Sequence, residues 1–136
     1  MAKLTPYFSG VGAPWTATAP LPGGDFPWDG APALAAELRR DYPFLEGPLS
    51  RRLVRQYGTR ARAMLDEARC MADLGRDFGA GLTEREVVWQ MREEWAREPE
   101  DILWRRSKLG LRLDPAGRAA LKRFMAAPAL AGSAAE

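Results

Sequence analysis

"LTEREVVWQMREEWAREPEDILWRRSKLGL", residues 82–111, is the tract on which the fold turns. Thr83-Glu-Arg-Glu86 has capping-box spacing and opens a run in which Val87, Val88, Met91 and Trp95 recur at helical intervals. Pro99 then starts a second helix and Gly110 ends it, with Ile102, Leu103 and Leu109 as apolar positions. Apolar and polar residues do not alternate with period two. The tract therefore predicts two helices, joined by a short turn, whose apolar stripes pack together.

The charges in this tract need a finer reading. With steps of about 100° per residue and Ile102 as origin, Arg106 falls inside the apolar stripe, Arg105 at its edge and Trp104 on the opposite face. The same wheel over 83–97 places Glu84 among the apolar residues and Glu94 at their edge. An unpaired charge is untenable inside a core. The expectation is a buried Arg106–Glu94 ion pair, with Glu84 as second choice of carboxylate. Trp104 faces outward, and Arg105 is left open as a contact residue.

Outward from this tract the periods remain helical. Pro32-Ala-Leu-Ala-Ala-Glu-Leu-Arg-Arg opens a first helix, and Leu49, Leu53 and Tyr57 mark a second that Gly58 stops. Thr59 caps a third, in which Ala61, Leu65, Ala68 and Ala72 share a face until Gly75. Asp114-Pro115 caps a last helix through Leu121, Phe124 and Met125. The expected class is all-α: six short helices in a bundle over residues 32–127, with short loops. The alanine-rich residues 128–136 form a fraying tail.

Residues 1–31 differ in kind. Residues 1–32 hold five glycines and six prolines, against 13 such residues in the remaining 104, so regular structure is disfavoured there. Tyr7, Phe8, Trp15, Phe26 and Trp28 recur along the same stretch, which marks an extended arm that needs a surface rather than a free linker.

Composition narrows the chemistry. Twenty Lys+Arg against 18 Asp+Glu give a formal charge of +2, too small an excess for strong steering towards nucleic acid. A nucleic-acid module using Arg39, Arg40, Arg51, Arg52, Arg105 and Arg106 is the competing class, and it requires one exposed basic face. The chain has no histidine and a single cysteine, Cys70, which fits a packing thiol in a reducing compartment. No metal-ligand spacing and no activated nucleophile is visible. Adjacent Glu93 and Glu94 diverge on a helix and do not form an acid/base pair. Gly10-Val-Gly12 and Gly79-Ala-Gly81 lack the third glycine and the preceding strand of a dinucleotide fingerprint, so both read as turns. No apolar run approaches the ~20 residues of a membrane span.

Several strings, in consistent order, are similar to the C-terminal helical domain of aerobic FAD-dependent glycerol-3-phosphate dehydrogenases. They are "LTPYFSGVGAPWT", "LPGGDF", "YPFL", "RRLVRQYGTRA", "DLGRDFGAGLTEREV" and "EWAREPEDILWRRSKLGLRL". The resemblance covers most of residues 4–126 and is densest from Glu93 to Leu111. It implies a parent enzyme that oxidises glycerol 3-phosphate to dihydroxyacetone phosphate and passes electrons through FAD to quinone, at the inner, cytoplasmic face of the membrane. No G-x-G-x-x-G fingerprint stands in this sequence, and the flavin- and substrate-contacting residues of the family belong mostly to the part outside it, so none is carried over. The resemblance thus implies an excised, non-catalytic domain with no cofactor of its own, no nucleic-acid partner and no direct membrane insertion. Residues 1–9 resemble the end of the flavin domain. Trp15, Phe26 and Trp28 are then expected to pack on that domain or to wrap the bundle, and Trp15, Trp28, Trp104 and Arg105 are candidates for docking onto it, onto a second copy in a homodimer, or onto a respiratory partner protein.

Overall fold

The computed structural model describes Tyr7, Gly10, Gly12 and residues 15–127. Most of the stretch assigned to the flavin domain's end, and the tail 128–136, lie outside the described residues. Five α-helices follow one another: α1 (Ala31–Asp41), α2 (Gly47–Tyr57), α3 (Arg60–Leu65), α4 (Glu84–Glu93) and α5 (Pro115–Met125). Shorter turns punctuate them: 3-10 segments at Met71–Leu74 and Leu109–Leu111, and a π-helical turn at Asp101–Arg106. Among the described residues the extended pairing amounts to one isolated antiparallel bridge, Asp77 with Thr83. The all-α reading holds.

The helix signals explain most of these boundaries. Proline stands in the first turn of α1, α2 and α5, where its missing N–H costs nothing. Asp114 caps α5 by accepting from the Gly117 amide at 2.7 Å. Gly58 ends α2 with φ 56°, and its Cα lies so close to the Gly23 carbonyl that no Cβ would fit.

Three expectations need correction. The third helix stops at Leu65, because Asp66 turns to φ 51° and its carbonyl is taken by the Tyr42 hydroxyl at 2.8 Å. Asp73 then accepts from the Arg69 and Cys70 amides, which starts a 3-10 turn and leaves Cys70 exposed rather than packed. Helix α4 ends at Glu93, and Trp95 takes φ 55° and faces solvent instead of joining the apolar stripe. Over Asp101–Arg106 the backbone bonds reach one residue further than in an α-helix, as in Ser107 N–H to the Ile102 carbonyl at 3.0 Å. Lys108, at φ 59°, closes that element two residues before Gly110.

Two apolar clusters form the core. One joins Leu34, Leu38, Leu45, Leu53, Val54, Ala61, Met64 and Leu65 from the first half of the chain. The other joins Phe78, Leu82, Val87, Ile102, Leu103, Leu109, Leu113 and Leu121. Each fully buried leucine contributes about 1.5–3 kcal/mol of transfer free energy. Helix α4 serves both, with Trp89 packed on the first cluster and Val87 in the second. Between the clusters lies a seam of polar side chains.

Part of the arm belongs to this body. Phe26 packs on the first cluster, and the Gly23 carbonyl accepts from the Thr59 amide at 3.1 Å. The Thr59 hydroxyl donates to Asp25. Residues 23–26 are thereby tied to the α2–α3 junction.

Candidate functional site

The polar seam is built from one turn of α2 and one of α4. Arg52 donates to both carboxylate oxygens of Glu86, at 2.6 and 2.7 Å, in the bidentate geometry that a guanidinium fork favours. Its Nη2 also donates to the Gly81 carbonyl at 2.6 Å. The Tyr57 hydroxyl donates to Glu86 at 2.8 Å and accepts from the Gln90 amide at 2.7 Å and the Gln56 amide at 2.9 Å. Glu86 is 1% exposed and Gln90 is fully enclosed. Burial, and then the adjacent Glu86 charge, push the Tyr57 hydroxyl far above its ordinary range, so it stays a donor. Burial pulls the Arg52 guanidinium down, and its hydrogen bond and charge contact with Glu86 more than offset that pull.

This is the buried charge pair of the molecule's interior, and it joins different residues from those expected. The sequence pattern groups Arg52 with the surface arginines and Glu86 with a capping box. Thr83 is indeed the residue before α4, but its side chain makes no capping bond and Glu86 turns inward. The signal was present on the α2 wheel, where Arg52 and Gln56 flank the Leu49–Leu53–Tyr57 stripe.

The expected Arg106–Glu94 ion pair is replaced by a different contact. Arg106 reaches the backbone carbonyl of Glu94, with Nε at 2.9 Å and Nη2 at 2.5 Å, and its nearest carboxylate is Asp101 at 3.6 Å. The cause is the early end of α4. Glu94 lies past the last helical residue, so its carbonyl points free of the helix while its side chain leaves the stripe. Burial pushes the Glu94 carboxyl up, against the opposing pull of Arg106 and then Arg60.

Asp101 organises the twin arginines. Its carboxylate accepts from the Arg97 and Glu98 amides at 2.8 and 3.0 Å and from Arg105 at 2.5 Å. Those two amides, with the arginines in support, hold its carboxyl down at about 2. Arg105 is two-thirds exposed and Trp104 is 39% exposed. The Trp104 ring lies over Gly110, where a Cβ would meet it at 2.6 Å, and beneath the Arg118 guanidinium, 5.7 Å from the ring centroid. Lys108 donates to the Trp104 carbonyl. Trp15 and Trp28 are both exposed, Trp28 almost completely.

Four of the six arginines of the nucleic-acid reading are already engaged within the molecule. Arg52 belongs to the seam, Arg106 to the Glu94 carbonyl, Arg105 to Asp101 and Arg40 to Asp41 at 3.4 Å. Nor do the residues here fit a dinucleotide. Gly79 and Gly81 make a closed turn, in which the Leu82 amide donates to the Gly79 carbonyl at 3.0 Å. The Gly81 carbonyl is already held by Arg52, and no strand leads into the turn. Among the described residues no group of three or more His, Cys, Asp or Glu is placed to hold a metal ion.

The family described as the C-terminal domain of alpha-glycerophosphate oxidase matches residues 14–130. A glycerol-3-phosphate dehydrogenase of Pseudomonas aeruginosa is 44% identical over 125 residues, 92% of this chain and 24% of that protein. The aerobic glycerol-3-phosphate dehydrogenase of Escherichia coli is 43% identical over 114 residues, 84% of this chain and 23% of its own length. A D-erythritol 1-phosphate dehydrogenase of Brucella abortus is 39% identical over 120 residues, 88% of this chain and 24% of that protein. The chain spans about a quarter of the length of these curated relatives. With residues 14–130 of its 136 matched, the chain belongs to the family of C-terminal domains of alpha-glycerophosphate oxidase.

Proposed function

We propose that the chain is the non-catalytic helical domain of an FAD-dependent sn-glycerol-3-phosphate dehydrogenase. In the parent, a separate flavin domain holds cofactor and substrate, oxidises glycerol 3-phosphate to dihydroxyacetone phosphate and delivers the two electrons to a quinone. The observation that carries this reading is the match to a C-terminal domain family over residues 14–130, together with relatives named for that activity. A relative named for erythritol 1-phosphate supports the same division of labour. Domains of one type then accompany dehydrogenases of different polyol phosphates, and substrate choice resides outside them.

The role assigned to the domain is structural: a rigid body that docks on the flavin domain. Trp15, Trp28, Trp104 and Arg105 are the residues offered for docking, on that domain, on a second copy in a homodimer or on a respiratory partner. The parent is placed at the cytoplasmic face of the membrane as a peripheral protein. Among the described residues no helix is long and apolar enough to cross a membrane.

The test uses the purified chain alone, with added FAD, glycerol 3-phosphate and a quinone-analogue dye. The expected result is a helical, colourless protein that reduces no dye. A bound yellow flavin or dye reduction by this chain alone refutes the reading.

A further inference from the structure

A groove of about 550 Å³ runs between α2 and the turn that follows the π-helical segment. Its walls carry Arg51, Arg52, Arg55, Arg106, Lys108 and Arg112, and no carboxylate is among its lining residues. This segregation contrasts with several other arginines that meet acids: Arg60 with Glu93 at 2.7 Å, Arg62 with Asp41 at 2.8 Å and Arg105 with Asp101 at 2.5 Å.

The six cations divide into two sets. Arg52, Arg106 and Lys108 are pinned, to Glu86, to the Glu94 carbonyl and to the Trp104 carbonyl. The side chains of Arg51, Arg55 and Arg112 make no hydrogen bond or ion pair with any described residue. Like charges around one concavity repel, the more so where low-dielectric walls focus the field. A multivalent anion seated there removes that repulsion, and the three unpaired guanidinium forks match tetrahedral phosphate oxygens bidentately. The volume lies in the range of small-molecule sites, about 300–1,000 Å³.

We propose that this groove is an anion site for a small group carrying one or two phosphates, held by Arg51, Arg55 and Arg112, with Arg106 and Lys108 adding to the positive lining. A soluble phosphate compound and a phospholipid headgroup share this chemistry. The site is independent of any flavin and of the dehydrogenase reading, so its test does not depend on turnover.

The probe is inorganic pyrophosphate, titrated calorimetrically into the purified chain at low ionic strength, with sodium chloride of matched ionic strength as reference. The expected result is saturable single-site binding. Arg55→Ala and Arg112→Ala each weaken it about tenfold, the size of one charge-assisted hydrogen bond, and the double variant abolishes it. Arg39→Ala and Arg40→Ala, outside the groove, leave it unchanged, and circular dichroism confirms that every variant is folded. Co-sedimentation with phosphatidylglycerol vesicles, with and without pyrophosphate, separates the sources. Vesicle binding that needs Arg55 and Arg112 and is displaced by pyrophosphate assigns the site to a headgroup, and pyrophosphate binding without vesicle binding assigns it to a soluble ligand. Equal pyrophosphate affinity in the double variant, or an effect that sodium chloride reproduces, overturns the proposal.

Discussion

Replacing Arg52 with methionine keeps the stem's apolar bulk and removes the charge from the seam. Glu86, 1% exposed, is left with the Tyr57 hydroxyl at 2.8 Å as its described hydrogen bond, and the Gly81 carbonyl loses its donor. Breaking a buried pair from one side costs about 3–5 kcal/mol. The Arg52 side chain is 18% exposed, so water reaches the seam's edge and the lower half of that range applies. The expected loss is about 3–4 kcal/mol, which for a domain of this size lowers Tm by about 10–15 °C. The companion experiment is Arg52→Met with Glu86→Leu. With both charges gone, the remaining defects are a Tyr57 hydroxyl without its acceptor and a Gly81 carbonyl without its donor, together worth about 1–2 kcal/mol. The double variant should therefore be more stable than Arg52→Met alone, a non-additivity that urea denaturation of the four proteins measures directly. If Arg52→Met costs less than about 1 kcal/mol, or the two substitutions simply add, the seam is not a buried pair and the reasoning fails.

Glu94→Gln tests the replacement of the expected ion pair. Arg106 holds the backbone carbonyl, which glutamine keeps, and burial raises the Glu94 carboxyl. A group with a raised folded pKa loses its favourable contribution as pH climbs through that value, so Glu94→Gln should raise the urea midpoint at pH 7 and leave it unchanged near pH 3. A lower midpoint at pH 7 would restore the carboxylate pair. Asp101, held down at about 2, has the opposite sign: its contribution is complete above pH 4 and fades between about pH 4 and pH 2. Asp101→Asn should flatten that part of the acid-stability curve, and an unaltered curve rejects the assignment. Gly58→Ala adds a Cβ at φ 56° against the Gly23 carbonyl and should cost about 2–4 kcal/mol, with limited proteolysis showing cleavage around residues 23–30. Protection of those residues in the variant contradicts the tie between residues 23–26 and the α2–α3 junction.

The helical class was legible because its signals are local. Pro32, Gly58, Asp114 and Pro115 each act within one turn of chain, and the structure puts a helix end at each. What the sequence did not disclose depends on distance or on phase. The Arg52–Glu86 pair spans 34 positions, and Arg51 and Arg52 look alike until α2 is oriented against α4. The Arg106 reading failed by phase: it assumed a helix through Trp95 and an α-helical step across 101–106. The early end at Glu93 and the wider π-turn rotate both stripes. The two residues nevertheless meet, through the carbonyl rather than the carboxylate. Trp15 and Trp28 were legible as aromatics in need of a surface, yet here Phe26 takes the bundle and those two do not.

Two oily surfaces in contact slide past one another with little change in energy, because every offset buries similar area. The boundary between the two clusters is not of that kind. A planar fork gripping a carboxylate, with a phenol and an amide locked beside it, has one offset at which all bonds close, and a shift of one ångström opens several of them. The halves therefore resist shear as well as separation.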